Sequence, residues 1–267
     1  MDLELQGKRA LVTGGSRGIG KAIARALARE GVAVALLARD PKTLAEAASE
    51  LAHETGQTVV GIRADTTSDA QVQAAFVEAN RQLGGGIDIL VNAAAEPAGY
   101  AGPPKLADIT ASFFHGEMDT KVMGYIRCAR EAAPHMQKKQ WGRIVNISGL
   151  AARQTGNTVG SIRNISVAAL SKNLADELGA SGITVNVVHP GLTRTERTAP
   201  LIQARAIRLG IPAPEVEAQM AAGNSIRRLV DADDVAHVVL FLCSPKSRAI
   251  NGDVIAAGGG APHSIHY

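Results

Sequence analysis

The chain has 267 residues, of which 46% are hydrophobic, 20% charged and 3% aromatic. That balance is too apolar for a disordered chain and too interrupted by Gly, Arg and Asp for any run to cross a bilayer as a helix. Basic residues number 28 against 25 acidic, a net +3, and they lie in scattered pairs (Lys8-Arg9, Lys138-Lys139, Arg227-Arg228) with few aromatics beside them, so neither a nucleic-acid nor a membrane partner finds support. Two cysteines, Cys128 and Cys243, far apart in sequence, fit reduced thiols rather than a disulfide frame. The opening Met1-Asp-Leu-Glu-Leu is acidic and runs straight towards a strand, so the expectation is a soluble cytoplasmic protein.

Taken in chain order, short β-branched runs alternate with longer Ala-rich amphipathic stretches. Strands are predicted at Arg9–Thr13, Ala33–Ala38, Thr58–Arg63, Ile87–Asn92, Gly142–Ile147, Ile183–His189 and Gly252–Ala257. Helices are predicted at Ile19–Glu30, Pro41–Thr55, Asp69–Leu83, Ser112–Lys138, Val159–Leu178 and Asp233–Leu242. Continuously apolar strands separated by helices imply an α/β fold: a single doubly wound Rossmann-type domain over residues 1–267, its parallel sheet covered on both faces. Thr193–Asn224 breaks the pattern with Pro200, Pro212 and Pro214, and is expected to be an irregular lid or substrate-binding insertion, the alternative being a helical pair on the surface.

After the first strand comes Thr13-Gly14-Gly15-Ser16-Arg17-Gly18-Ile19-Gly20, leading into a helix. Glycines there allow a tight turn and close approach to a pyrophosphate, while the helix start offers free N–H groups and a positive dipole end. With its T-G-x-x-x-G-x-G spacing the chain resembles the short-chain dehydrogenase/reductases, and the resemblance extends over nearly all of it. The family likeness implies that Gly14, Ser16, Arg17, Gly18, Ile19 and Gly20 cradle the cofactor phosphates. It implies that Asp65 and Thr66 meet the adenine, and that Asn92, Ala93 and Ala94 close over the adenine ribose. His189-Pro190-Gly191-Leu-Thr193-Arg-Thr195 resembles the turn that holds the nicotinamide carboxamide, through Pro190, Gly191, Thr193 and Thr195. Where NAD-specific members carry an acid at the end of the second strand this chain has Ala38, followed by Arg39; with Arg17 this favours NADP over NAD, because two guanidinium groups suit a 2′-phosphate. Asp40 is read as the N-cap of the helix that Pro41 opens.

The catalytic positions depart from the family pattern. Relatives draw the proton for the developing alkoxide from a tyrosine, its pKa lowered by a lysine four residues on, with a serine and an asparagine beside them. None of the three tyrosines here, Tyr100, Tyr125 and Tyr267, begins a Tyr-x-x-x-Lys motif. Counting back from Ala168–Leu178 places Gly160 at the tyrosine and Asn164 at the lysine. Counting from Pro134-His135-Met136 places Lys121 at the asparagine, and along Gly142–Gly149 the serine position falls on Gly149, with Ser148 one residue early. Asparagine and lysine are therefore exchanged. Lys121, if desolvation lowers its pKa, is a candidate to donate a proton or neutralise an oxyanion, with Ser148 or Ser161 as a hydroxyl; a structural ion pair is the alternative. His115, Arg194, Glu196 and Arg197 are weaker candidates, His189 reads as structural, and His263 and His266 lack the acid or cysteine a metal site needs.

Three functions stay open on this reading: an NADP(H)-dependent oxidoreductase for a small carbonyl or alcohol with a non-standard proton donor, an NADP-binding protein without chemistry, or a lyase or isomerase. The resemblance further implies a homodimer or homotetramer through Ser112–Lys138 and Val159–Leu178.

Overall fold

The computed structural model describes residues 1–95 and 102–262. In chain order the elements are β1 (Arg9–Thr13), α1 (Gly18–Arg29), β2 (Ala33–Ala38), α2 (Pro41–Thr55), β3 (Val59–Arg63), α3 (Asp69–Gln82) and β4 (Ile89–Asn92). Then follow α4 (Ala111–Met118), a π-helical turn (Asp119–Met123), α5 (Gly124–Lys139), β5 (Gly142–Ile147), α6 (Thr158–Leu178) and β6 (Ile183–Pro190). The chain finishes with β7 (Thr193–Arg194), α7 (Thr198–Leu209), α8 (Ala213–Ala221), β8 (Val230–Asp231), α9 (Ala232–Cys243) and β9 (Val254–Ala257).

Seven strands form one sheet in the order β3-β2-β1-β4-β5-β6-β9, every neighbouring pair parallel. This is the doubly wound α/β fold expected from the alternation of strands and helices. Successive strand residues face opposite layers. Val12, Leu36, Val91 and Val145 join Ile23, Leu27, Leu51 and Val239 in the core under α1, α2 and α9. Leu11, Leu37, Leu90 and Ile144 join Phe76, Met136 and Leu178 under α3, α5 and α6. Both faces being covered explains why strands such as β6 are buried at every position, each large aliphatic side chain there contributing about 1.5–3 kcal/mol.

Helix starts follow local chemistry. Asp40 caps α2 by accepting from Lys42 N at 3.0 Å, as the Asp-Pro pair predicts. The single helix expected over Ser112–Lys138 is instead α4 and α5 joined by the π turn, which inserts an extra residue around Lys121.

The segment Thr193–Asn224 is a correction. It is not irregular: α7 and α8 fill most of it and share a small core of Ile202, Ala206, Val216, Ala221 and Leu229. The prolines that suggested a loop stand where helices tolerate them. Pro200 lies in the first turn of α7 and Pro214 in the first turn of α8, where backbone N–H groups need no intrahelical acceptor. Gly210, at φ +65°, ends α7 in the left-handed conformation.

Candidate active site

The strand-borne candidates lie at the carboxyl ends of β1 through β6, on the side of the sheet where the order reverses between β1 and β4. Open α/β sheets bind ligands in that crevice. The glycine loop packs so closely that its composition is dictated. A methyl on Gly14, whose φ is +66°, would lie 2.9 Å from the Ala93 carbonyl oxygen, and one on Gly20 would lie 2.3 Å from the Gly14 oxygen. Arg17 is the N-cap of α1 yet supplies no side-chain bond to it. The donors at the start of α1 are thus left for an acceptor from elsewhere, and one of them has it: Gly18 N donates to the Glu196 carboxylate at 3.1 Å, from the segment between β7 and α7. A carboxylate on that N–H shows that the cradle accepts an anionic oxygen. Ser16 and Ile19 are partly buried beside it, and Arg17 and Arg39 are exposed.

The strand ends behind the loop are braced by polar links that the sequence does not advertise. Thr13 Oγ1 accepts from Ala93 N at 3.0 Å and Ala94 N at 3.1 Å, tying β1 to the segment after β4. Asn92 Nδ2 donates to Asn146 Oδ1 at 2.9 Å, and Asn146 Nδ2 donates to Ser171 Oγ at 2.8 Å, crossing β4, β5 and α6. Asn92 Oδ1 is left buried without a partner. Asp65 turns its carboxylate onto Thr67, accepting from its N and Oγ1, while Thr66 is buried against Gly124. Pro190 ends β6. Gly191 lies so near Gly258 that a methyl would come within 2.9 Å of its Cα. Thr193 Oγ1 donates to Gly191 O, and Thr195 packs its methyl towards Gly18.

Lys121, Ser148 and Asn164 come together, as the counting predicted. Lys121 is 4% exposed, and its Nζ donates to Ser148 O at 3.0 Å and to Asn164 Oδ1 at 3.1 Å. Both acceptors are neutral. Burial therefore pulls the amine down to about 7, helped by the neighbouring Arg163 and opposed by Glu117, which are themselves ion-paired. Ser148 Oγ donates to Asn164 O at 3.0 Å, so its hydroxyl hydrogen is spent on the backbone of α6. Gly149 N donates to His189 Nδ1 at 3.2 Å, which gives that buried histidine a bracing role.

No tyrosine replaces the missing one among the described residues. Tyr125 is fully buried, its hydroxyl donates to Ile147 O at 2.8 Å, and burial pushes its phenol well above the ordinary value. Tyr100, Tyr267, His263 and His266 lie outside the described residues. The space that a side chain at 160 would need is taken by Asn157, the N-cap of α6. Asn157 Oδ1 accepts from Gly160 N at 2.9 Å, and a methyl at Gly160 would lie 2.5 Å from Asn157 Nδ2. Ser161 donates to Gln154 O, and His115 is exposed on α4 against Phe114. Arg194 pairs with Glu217 and Asp231, and Arg197 is exposed. No helix is long and apolar enough to cross a membrane among the described residues.

A parallel, doubly wound sheet with a glycine-opened helix start at its crossing point defines a Rossmann-type fold. Comparison with known proteins narrows the class. Residues 14–262 match the family profile described as enoyl-(acyl carrier protein) reductase. The chain is 33% identical to the 3-oxoacyl-(acyl-carrier-protein) reductase of Aquifex aeolicus over 97% of this chain and 99% of that one. It is 31% identical to the 7alpha-hydroxysteroid dehydrogenase of Escherichia coli K12 over 99% of this chain and 98% of that one. Its structure resembles L-sorbose reductase from Gluconobacter frateurii, solved with NADPH and L-sorbose, with a TM-score of 0.91, 29% identity, and 99% of this chain and 100% of that one covered. The chain belongs to the short-chain dehydrogenase/reductase family of oxidoreductases.

Proposed function

We propose that this chain is an NADP(H)-dependent oxidoreductase that interconverts a small carbonyl compound and its alcohol, with Lys121 as the proton donor in place of the family tyrosine. One observation carries the reading: a buried amine at the carboxyl end of the sheet, held by two neutral acceptors and brought down to about 7. An ammonium has three N–H groups, and the Ser148 carbonyl and Asn164 Oδ1 take two of them. The third has no acceptor among the described residues. As negative charge develops on the substrate oxygen, that third N–H gives up its proton. The neutral amine that remains keeps both of its existing hydrogen bonds, so the transfer demands no rearrangement of the site. A donor titrating near neutrality is matched to work at physiological pH.

The bound cofactor would supply the hydride. For holding it, Gly14, Ser16, Gly18, Ile19 and Gly20 offer the phosphate cradle, and Arg17 and Arg39 the charge for a 2′-phosphate. Asp65, Thr66, Asn92, Ala93 and Ala94 stand on the adenosine side, and Pro190, Gly191, Thr193 and Thr195 on the nicotinamide side. Helices α7 and α8 form the lid over the substrate. Exposed Phe113, Met123, Ile162 and Ile165 on α4, the π turn and α6 suit a second copy of this chain, giving a dimer or tetramer. The free, buried thiols of Cys128 and Cys243 suit the reducing cytoplasm.

The test is to titrate NADPH and NADH separately by fluorescence and then follow NADPH oxidation with a panel of ketones, aldehydes and ketoses that includes L-sorbose. The expected result is tighter binding of NADPH and turnover that Lys121→Met abolishes while leaving NADPH affinity intact. Binding without turnover would instead favour a cofactor-binding protein without chemistry.

A further inference from the structure

We propose that the side-chain amide of Asn164 is the group that holds and polarises the substrate's carbonyl oxygen, and that residue 149 is glycine to keep the space in front of that amide open. This rests on the carbonyl–alcohol reading of the site. Asn164 is 3% exposed. Its Oδ1 is committed to Lys121, at 3.1 Å, which sets the amide so that Nδ2 is on the opposite side from the lysine bond. Nδ2 makes no hydrogen bond among the described residues, although its own Oδ1 and backbone oxygen are both engaged. Nδ2 is not among the fully buried unpaired atoms, so this donor is still reachable from outside the core, and an unspent donor on an otherwise buried residue is one a ligand can engage.

What faces Nδ2 is the missing side chain of Gly149. A methyl built there would lie 3.1 Å from Asn164 Nδ2, tighter than ordinary van der Waals contact. The room beside that amide is therefore the room a side chain at 149 would take, and the backbone on both sides of it is fixed. Gly149 N is pinned to His189 Nδ1, and the α6 backbone at Asn164 accepts from Ser148 Oγ. Ser148 cannot offer its hydrogen to a substrate while it makes that bond. Asn164 is thus the donor that remains, and through its own Oδ1 it fixes the position of the Lys121 amine. A substrate oxygen in the slot would accept from Asn164 Nδ2 and then take the proton from Lys121. No electrons move through the amide: it stabilises the charge that builds on the oxygen, an effect worth about 10²–10³ in rate for a preorganised donor.

The test uses full-length protein with two variants. Gly149→Ala fills the slot by setting a methyl against Asn164 Nδ2 while leaving the Lys121 bonds in place; Asn164→Asp removes the donor and also gives Lys121 a carboxylate partner. Both are expected to lower kcat with the best carbonyl of the panel by about 30-fold or more, with NADPH affinity nearly unchanged; the melting temperature should hold in Gly149→Ala and rise in Asn164→Asp, where the buried amine gains a counter-charge. Independently of turnover, the infrared carbonyl stretch of cyclohexanone bound with NADP+ should move to lower frequency in the parent protein and return towards its free value in both variants. Parent turnover with variants within about threefold of it and an unshifted stretch would overturn the Asn164 assignment and leave the oxidoreductase reading standing. A parent protein that turns over no carbonyl and shifts no stretch would overturn both.

Discussion

Two charges are buried at opposite ends of the same sheet, and the fold treats them in opposite ways. Asp88, just before β4 at the amino end, is fully buried. It accepts from Arg9 N at 3.0 Å and from Lys139 Nζ at 2.5 Å, with the Arg9 guanidinium at 4.0 Å and His135 at 3.7 Å. Lys121, at the carboxyl end, is buried and among the described residues donates to a carbonyl and an amide oxygen, with the Arg163–Glu117 ion pair nearby. A buried charge given counter-charges stays charged and fastens elements together. A buried charge given only dipoles is destabilised in its ionised form and titrates within reach of neutral pH. The first fastens strands and helices together; the second is held by neutral acceptors, the environment on which the proposed proton transfer rests.

Four measurements would break or sharpen that comparison. The largest effect is expected from Lys121→Met, which should cut kcat by about 10³-fold, within the range for a positioned acid. Because it removes a desolvated amine, it should also raise the thermal midpoint, and an unchanged kcat would reduce Lys121 to a packing residue. Next, Asp88→Asn should leave turnover intact but cost about 2 kcal/mol in urea unfolding, the partly exposed cations recovering some hydration. Loss of activity without loss of stability would merge the two ends of the sheet into one site.

The third measurement is pH dependence. The carbonyl-reducing rate should fall as pH rises through about 7, because the proton on Lys121 is lost there. Stability should move the other way. Between about 7 and the ordinary lysine value of 10.5 the unfolded chain holds a proton that the folded chain has released, so this group's contribution to stability rises with pH across that window and is flat below it. Lys121→Met should abolish both trends, as measured by the rate profile and by melting curves. The smallest effect is expected at Glu196, the carboxylate resting on Gly18 N. Glu196→Gln removes a negative charge that a cofactor phosphate must displace, and NADPH should bind about two- to fivefold tighter by fluorescence titration. Weaker binding would mean that Glu196 supports the cofactor instead.

Much of this was readable from the chain, and the failures have physical causes. The glycine loop could be read because its spacing is local, Gly20 answering to the Gly14 oxygen, although Gly14 itself answers to Ala93 from the end of the neighbouring strand. The exchange of Lys121 and Asn164 could be read because helical spacing carries register over distance, and the two do meet. The helices within Thr193–Asn224 could not, because proline disfavours a helix interior but not its first turn, and only the start of α7 and α8 decides which applies. Thr13 bridging to Ala93 and the Asn92–Asn146–Ser171 relay each depend on where a neighbouring element comes to rest.

The sequence by itself determined the parallel doubly wound sheet, the tight glycine turn at the start of α1 and the absence of a Tyr-x-x-x-Lys motif. Periodicity, glycine sterics and residue identity are local, and they survive without coordinates. Only the tertiary structure decided that Lys121 bonds to neutral acceptors among the described residues, that Ser148 spends its hydroxyl on α6, and that the Asn164 amide lies against Gly149. Desolvation and hydrogen-bond pairing are properties of what surrounds a group on every side, and that surrounding exists only once β5, α6 and the π turn have packed together.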